Sequence, residues 1–517
     1  MPETLSTEEP DTAPDLTTGA DSAPDPIAGA DSTRHLDALF VNAPLRDYGV
    51  RPRVNDYTLP VLGMAYIATY AQEIGGFNVG LLDAEAHGLG IARTIALINA
   101  AHPRWVGMNL LAPTYEMSAR IAAGLHPDIA LMVGGHHARA MPDRILADSR
   151  MANLRALVIG EGEPRVAALL DDHRRRADLP GVMWRDRLLG RNNVGLARGG
   201  DTARWLSPGI DTLPMVNRVF LPQDPYVAGD GRTEANIVGS RGCPYDCGFC
   251  GAAVSANPDV KIRARAPENI ITELEALHSA HGTTAFRFVD DLFLGAATVI
   301  RPQMEAFTHH RIGDRFVWDA TGRINVLHRA DESMLDTLAR NGLREVALGI
   351  ESGSDRVLAD MDKRISADMT ERVTRRLLER GIGVKGYFIL GYPGEQHEDL
   401  EATVRHIHSL WNLADRHGGN FRASVFEFRP YPGTPVWKTL TEAGHSPERL
   451  LAYSDVDLTQ DGADESMRAR DEFNFSVGIQ FGGVRLSELR ATLAALTREQ
   501  HARNEQHARN RATGAAA

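Results

Sequence analysis

Long hydrophobic runs are missing from this sequence of 517 residues: none approaches the ~20 consecutive apolar positions of a membrane-spanning helix. The opening Met-Pro-Glu-Thr lacks the basic and apolar regions of a secretory signal. A strong positive charge is missing as well. The formal net charge is −12, and the first 34 residues hold Glu3, Glu8, Glu9, Asp11, Asp15, Asp21, Asp25 and Asp31 against Arg34 alone. The remainder is only mildly acidic, which argues against a phosphate backbone as the main partner. Cysteine is scarce, which fits a reducing compartment. These absences point to a cytoplasmic protein with neither a membrane nor a nucleic acid as partner.

What cysteine there is stands in one place. Cys243, Cys247 and Cys250 fall within eight positions, in the run Gly242-Cys-Pro-Tyr-Asp-Cys-Gly-Phe-Cys250. Disulfides cannot consume an odd number of thiols held this close. Thiolate ligands select soft metals, zinc and iron–sulfur clusters. Zinc would need a fourth ligand such as a nearby His, and the spacing fits paired zinc knuckles poorly. A cubane cluster held by three cysteines keeps one iron open to a small molecule.

The flanks of the chain differ from its middle. Residues 1–34 are acidic, Pro-rich and repetitive (Ala13-Pro-Asp15 returns as Ala23-Pro-Asp25), the composition of a disordered tail. Between 35 and 175, strands near 36–43, 78–83, 105–110, 129–133 and 156–160 alternate with helices near 61–74, 91–101, 114–124, 142–149 and 164–173. That order gives an α/β, doubly wound, Rossmann-like domain. Ligands of such sheets sit beyond the carboxyl ends of the strands. Here those ends carry Asp83, Asn109, Gly134-Gly135-His136 and Gly160-Glu161-Gly162-Glu163. Residues 176–232 read as an irregular linker with a short hairpin near Val182-Met-Trp184.

Alternation resumes over 233–436. A strand at 236–240 delivers the cysteine loop. Five more follow near 285–289, 316–321, 344–350, 383–390 and 423–428, with helices near 267–281, 297–309, 331–341, 366–380 and 397–415. Six βα-type units predict a (βα)6 partial barrel with its functional residues at the carboxyl ends of the strands. Polar clusters recur there: Asp290-Asp291, Thr321-Gly-Arg323, Glu351-Ser352, Gly391 through Glu395, and Phe428-Arg429-Pro-Tyr431. The extension 437–517 shows one short extended segment, Phe473 to Phe481, and a helix from about 484 to 505.

The cysteine loop resembles that of the radical S-adenosylmethionine (SAM) enzymes, in which the open iron of a [4Fe–4S] cluster chelates SAM. Pro60-Val-Leu-Gly63, Asp83-Ala-Glu-Ala86, Val133-Gly-Gly-His136 and Ile159-Gly-Glu-Gly-Glu163 resemble the cobalamin-dependent (B12-binding) branch, methyltransferase type. The resemblance implies a cobalamin-binding domain at 35–175 and a radical SAM domain at 233–436. It implies SAM contacts from Phe249, Asp290, Asp291, Arg323, Glu351, Ser352 and Gly391. Cobalamin contacts are implied for Gly63, Asp83, Glu85, Thr114, Gly134, Gly135, His136, Gly160, Glu161 and Gly162. Other cobalamin domains carry Asp-x-His-x-x-Gly, whose His ligates cobalt. Here Glu85 stands at the His position, so base-off, His-off cobalamin is expected. Tyr387, Glu427, Arg429 and Tyr431 are the expected substrate-facing residues.

The activity so implied is methyl transfer from methylcobalamin to an unactivated carbon of a small-molecule, natural-product intermediate, after a 5′-deoxyadenosyl radical has removed hydrogen. A flavodoxin or ferredoxin would supply electrons to the monomeric enzyme. The alternative is a cobalamin-containing radical SAM cyclase or rearrangement enzyme that transfers no methyl group.

Overall fold

A computed structural model describes residues 26–50, 52, 59–186, 188–196, 202–228, 231–258, 260–455 and 475–512. Two sheets carry it. The first holds β1 (Ile27–Ala28), β2 (Ala38–Asn42), β3 (Val79–Asp83), β4 (Trp105–Asn109), β5 (Ala130–Gly134), β6 (Leu154–Val158), β7 (Val182–Asp186) and β8 (Arg191–Val194). Their order is β1-β3-β2-β4-β5-β6-β7-β8. The five central strands are parallel, and they run as near-continuous apolar stretches because helices cover both faces. Phe40, Leu81, Met132 and Val158 pack under the helix Leu62–Glu73 on one side, and Leu39, Val106, Leu131 and Leu157 line the other.

Two boundaries differ from expectation. Residues 26–34 were expected in the disordered tail, whose residues 1–25 lie outside the described ones. Instead Ile27 and Ala28 pair antiparallel with Leu82 and Leu81, and Asn78 holds the turn through Asp31, Arg34 and His35. The hairpin expected within the linker does not stand apart: Met183 pairs with Leu157, so β7 and β8 extend the first sheet antiparallel to β6.

The second sheet contains β9 (Tyr226–Val227), β10 (Thr233–Ile237), β13 (Ala285–Phe288), β14 (Val317–Gly322), β15 (Leu343–Glu351), β16 (Gly383–Leu390) and β17 (Phe421–Glu427). A separate two-stranded hairpin, β11 (Ser240–Arg241) with β12 (Arg263–Ala264), closes the cysteine loop. The order is β17-β16-β15-β14-β13-β10-β9, and the six strands from β10 to β17 are parallel, the half-barrel expected. Phe286, Phe288, Trp318, Val384 and Phe388 face the outer helices. The alternate positions, which face inward, carry charge. Arg344 bridges Glu234 (2.7 Å) and Asp319 (2.5 Å), Arg287 lies 3.2 Å from Glu234, and Arg422 pairs with Glu345 at 2.5 Å. These pairs form a neutralised floor across the barrel, well away from the strand ends where the cysteine loop sits.

The last helix, Leu486–Ala512, lies along β17. Trp411 and the backbone N–H of Ala423 both donate to Gln500, which fastens that helix to the barrel. No helix among the described residues is long and apolar enough to cross a membrane.

Candidate active site

The cysteine loop leaves β10 and crosses the mouth of the half-barrel. Its base is clamped by Asp290, at the end of β13. One carboxylate oxygen accepts the backbone N–H of Gly239 at 2.8 Å and that of Ser240. The other oxygen is buried without a partner, and burial pushes this carboxyl up to about 7. Asp290 was expected to meet SAM, and its near oxygen is already taken up by the loop. Asp291 next to it is exposed. Further along, Gly248 N–H donates to Met361 O and Gly248 O accepts Val436 N–H, both at 2.9 Å.

The three thiols are free. Burial pushes the Cys243 thiol up, and that of Cys250 to about 12, so a bound cation is what would hold them as thiolates at neutral pH. A zinc–thiolate tetrahedron with bonds of about 2.3 Å would bring its sulfurs to roughly 3.8 Å of one another. Among the described residues no group of three His, Cys, Asp or Glu that gathers its ligand atoms within 4.8 Å includes these cysteines. Their wider spread fits a cluster rather than a single ion.

Arg323, at the end of β14, donates from Nη1 to Cys247 Sγ at 3.3 Å and from Nη2 to the carbonyl of Lys363 at 2.6 Å. Its guanidinium lies 3.5 Å above the Tyr245 ring. Lys363 then pairs with Glu351 at 2.6 Å, its ammonium 5.6 Å from the Phe249 ring. Both partners of the pair are buried. Their backbone is strained. Glu351 has φ +67°, at a bulge where β15 slips register against β16, and Asp362 and Arg364 on either side of Lys363 have φ +49° and +56°. Non-glycine residues hold such angles only where surrounding contacts enforce them, and these concentrate at working sites. Lys363 has no signal in the sequence, because its loop has no periodicity and its contacts reach across 12 residues or more.

Other expected residues fall elsewhere. Ser352 is fully buried, its hydroxyl 2.9 Å from that of Thr403, so it braces β15 against the helix His397–His417. Gly391, with φ +81°, turns its backbone N–H onto the Glu395 carboxylate, and a side chain there would meet Leu489 of the C-terminal helix. Glu395 is buried, with Oε1 unpartnered, and burial pushes it up to about 7. Glu427 is drawn from the barrel mouth into the extension by Arg490 (2.9 Å) and Ser476. Tyr387 faces the interior beside Phe426, with ring centroids 6.2 Å apart. Arg429 stands over Phe426 and reaches the Tyr431 hydroxyl at 3.5 Å, while Tyr431 stacks on Tyr453 of the extension.

In the first domain the expected residues share one edge, the carboxyl ends of β2 to β6. Gly63 opens onto free space, His136 is exposed, and Thr114 is buried. Gly135 at φ +93° approaches Asn109 and Leu110 closely, so its lack of a side chain serves strand packing. Asp83 accepts Asn42 Nδ2 and Ala86 N–H. Glu85 accepts the Tyr48 hydroxyl at 2.7 Å and Leu45 N–H at 2.8 Å. A polar cavity of about 210 Å³ adjoins this edge, lined by Pro113, Tyr115, His137, Arg144, Asp148 and Tyr453. His137 Nδ1 is buried there without a partner, and burial lowers its pKa to about 4. Of the glycines expected at the corrinoid only Gly63 is open, while Gly134, Gly135, Gly160 and Gly162 each pack on a neighbour, so what this edge offers a polar ligand is the cavity and the orphaned imidazole.

At β5 and β6 this edge faces the cysteine loop. Arg139 donates to Ala256 O at 2.7 Å, and Gly433 after β17 packs on Ala140. Glu161, expected at the corrinoid, instead binds Arg241 and Arg263 at the two feet of the loop.

Comparison with known proteins matches the same two halves. The radical SAM superfamily model matches residues 237–407 and the B12 binding domain model residues 53–170. An uncharacterised methyltransferase of Pyrococcus horikoshii is 28% identical over 391 residues, 75% of this chain and 79% of that protein. The cytidylyl-2-hydroxyethylphosphonate methyltransferase of Streptomyces wedmorensis is 25% identical over 445 residues, 75% of this chain and 79% of its own. The solved structure of the radical S-adenosylmethionine methyltransferase TsrM from Kitasatospora setae, with cobalamin and a [4Fe-4S] cluster bound, aligns with a TM-score of 0.60 at 20% identity. That alignment covers 81% of this chain and 80% of the other, a likeness of fold.

Proposed function

Because this chain belongs to the cobalamin-dependent radical SAM enzymes of methyltransferase type, with their [4Fe–4S] cluster, SAM and cobalamin as cofactors, we propose that it methylates an unactivated carbon of a small-molecule intermediate of natural-product type. The observation that carries this reading is the apposition of two edges. The carboxyl ends of β5 and β6 face the cysteine loop across direct contacts, Arg139 to Ala256 and Glu161 to Arg241 and Arg263. A carbon held between them would meet both cofactors.

When bound, the cofactors supply a 5′-deoxyadenosyl radical and a transferable methyl group. The chain's own part is placement. Cys243, Cys247 and Cys250 are the residues that would hold the cluster. Arg323 and Lys363 present cations beside the loop, suited to the SAM carboxylate. Glu351 accepts hydrogen bonds from hydroxyl or ammonium groups. Tyr387 and Phe426 wall the interior, and Phe249 joins an apolar cluster with Met361, Tyr392 and Phe428 that keeps water from the loop. Glu85, held by Tyr48 and Leu45, offers no nitrogen, in keeping with base-off, His-off cobalamin.

Anaerobic protein loaded with both metal cofactors and given methyl-labelled SAM under strong reduction tests the reading. Label on the corrinoid, and then on a product, supports it. Formation of 5′-deoxyadenosine with no label on either favours a cyclase.

A further inference from the structure

The cysteine loop stands on two feet, and both are held by one carboxylate of the other domain. Arg241 and Arg263 face each other across the hairpin β11–β12 that closes the loop. Glu161 Oε2 accepts Arg241 Nη1 at 2.7 Å, and its Oε1 accepts Arg263 Nη2. The second Nη of Arg241 lies 2.7 Å from Glu163 Oε1, and its guanidinium stacks over Tyr66 of the helix Leu62–Glu73 at 5.0 Å. The side chains are nearly dry: Glu161 is 10% exposed, Glu163 3% and Arg241 16%.

The carboxylate itself is rigidly mounted. Gly160, at φ +86°, makes the turn after β6. The fully buried Arg165 donates to the carbonyls of Ile159, Glu161 and Pro180, fixing that turn from behind. On the opposite side Lys261 N–H donates to Ser207 Oγ at 2.9 Å, and Arg263 to Pro208 O, so the linker braces the same foot.

We propose that Glu161, seconded by Glu163, is a positioning residue that sets the separation of the two cofactors. This rests on the reading above that the loop carries a cluster and that the first domain carries cobalamin. The physical reason is economy of joints. Two arginines on facing strands of one hairpin converge on one planar carboxylate, so the loop can neither rotate nor slide against β6 without breaking a charge-assisted pair in a dry site. A carbon radical tolerates little misplacement: about 1 Å of drift can cost a hundredfold in rate. A clamp at the base of the cluster loop is where such drift would be suppressed. Glu161 spends both carboxylate oxygens on these arginines, which leaves it unsuited to bind the corrinoid itself.

The test uses the full chain loaded anaerobically with iron, sulfide and hydroxocobalamin. After reduction to the cluster's paramagnetic state and to cobalt(II), pulsed EPR reads the distance between the two spins. Glu161→Gln and, from the opposite domain, Arg263→Gln are each expected to keep iron content and to hold the hydroxocobalamin Kd within about twofold, because neither touches the ligand. Both are expected to broaden the inter-spin distance distribution. Glu161→Asp, which keeps the charge but is too short to reach both arginines, is the milder variant should Gln impair folding, and it is expected to broaden it as well. A Kd raised about tenfold by Glu161→Gln but not by Arg263→Gln would make Glu161 a cofactor ligand and overturn the proposal. An unchanged distribution in variants that load both cofactors overturns it equally. A wild-type chain that takes up neither cofactor overturns the underlying reading first, and the clamp with it.

Discussion

Arg323 donates to the sulfur of Cys247 at 3.3 Å while its other terminal nitrogen is fixed on Lys363 O at 2.6 Å. A guanidinium held against a ligating sulfur favours the more negative, reduced cluster, since hydrogen bonds and charge near the sulfurs set the potential. Arg323→Leu is therefore expected to lower the cluster's reduction potential, by on the order of 50 mV, with iron content unchanged. An EPR-monitored redox titration measures it.

The Lys363–Glu351 pair is buried and sits against Gly349, where any side chain would collide with both partners. Removing one partner strands the other. Lys363→Met should cost about 3 kcal/mol of stability, and the double change Glu351→Gln with Lys363→Met should recover most of it. Urea unfolding of the wild type and the two variants checks this, and SAM affinity should fall in both the single and the double variant.

Glu395 carries a proton more readily in the folded chain than in the unfolded one, because burial raises it from 4.5 to about 7. The folded state thus binds more protons between those values, and stability falls as pH rises through that window. At pH 8 the buried charge costs up to roughly 3 kcal/mol at 1.4 kcal/mol per pH unit. Glu395→Gln is expected to raise the melting temperature at pH 8 and to leave it nearly unchanged at pH 5, read by thermal melts at both.

Asp290 holds the base of the cysteine loop through two backbone N–H groups. Asp290→Ala strands both donors in a dry site, at about 1–3 kcal/mol each. The expected result is a folded chain that retains less iron after desalting, measured as iron per chain beside a circular dichroism spectrum.

Much of this was legible in the sequence. The helices Leu62–Glu73 and Ile91–Ala101 and the strand Val79–Asp83 between them announce themselves through apolar runs bounded by glycine, and parallel strands covered on both faces leave that signature. The cysteine loop needed only its spacing. Other features had no local signal. β1 is two residues long and pairs with a strand more than fifty positions away. The charged floor of Glu234, Asp319, Arg344 and Glu345 reads in sequence as ordinary polar strand positions, because only closure of the half-barrel brings them together. Glu161 and Glu427 were assigned to ligands because a carboxylate at a strand end looks the same whether it meets a cofactor or an arginine from another element. Ser352, just past the β15 bulge, meets Thr403, a contact between residues 51 positions apart that no local pattern shows.

The most direct measurement is EPR of the anaerobically reconstituted, reduced chain before and after adding SAM labelled with nitrogen-15 and oxygen-17 at its amino and carboxylate groups. A cluster of about four irons held by three cysteines is expected to give a spectrum that shifts on binding and shows hyperfine coupling to both labels. Uptake of zinc in place of iron and sulfide, or a cluster spectrum indifferent to SAM, would contradict the account.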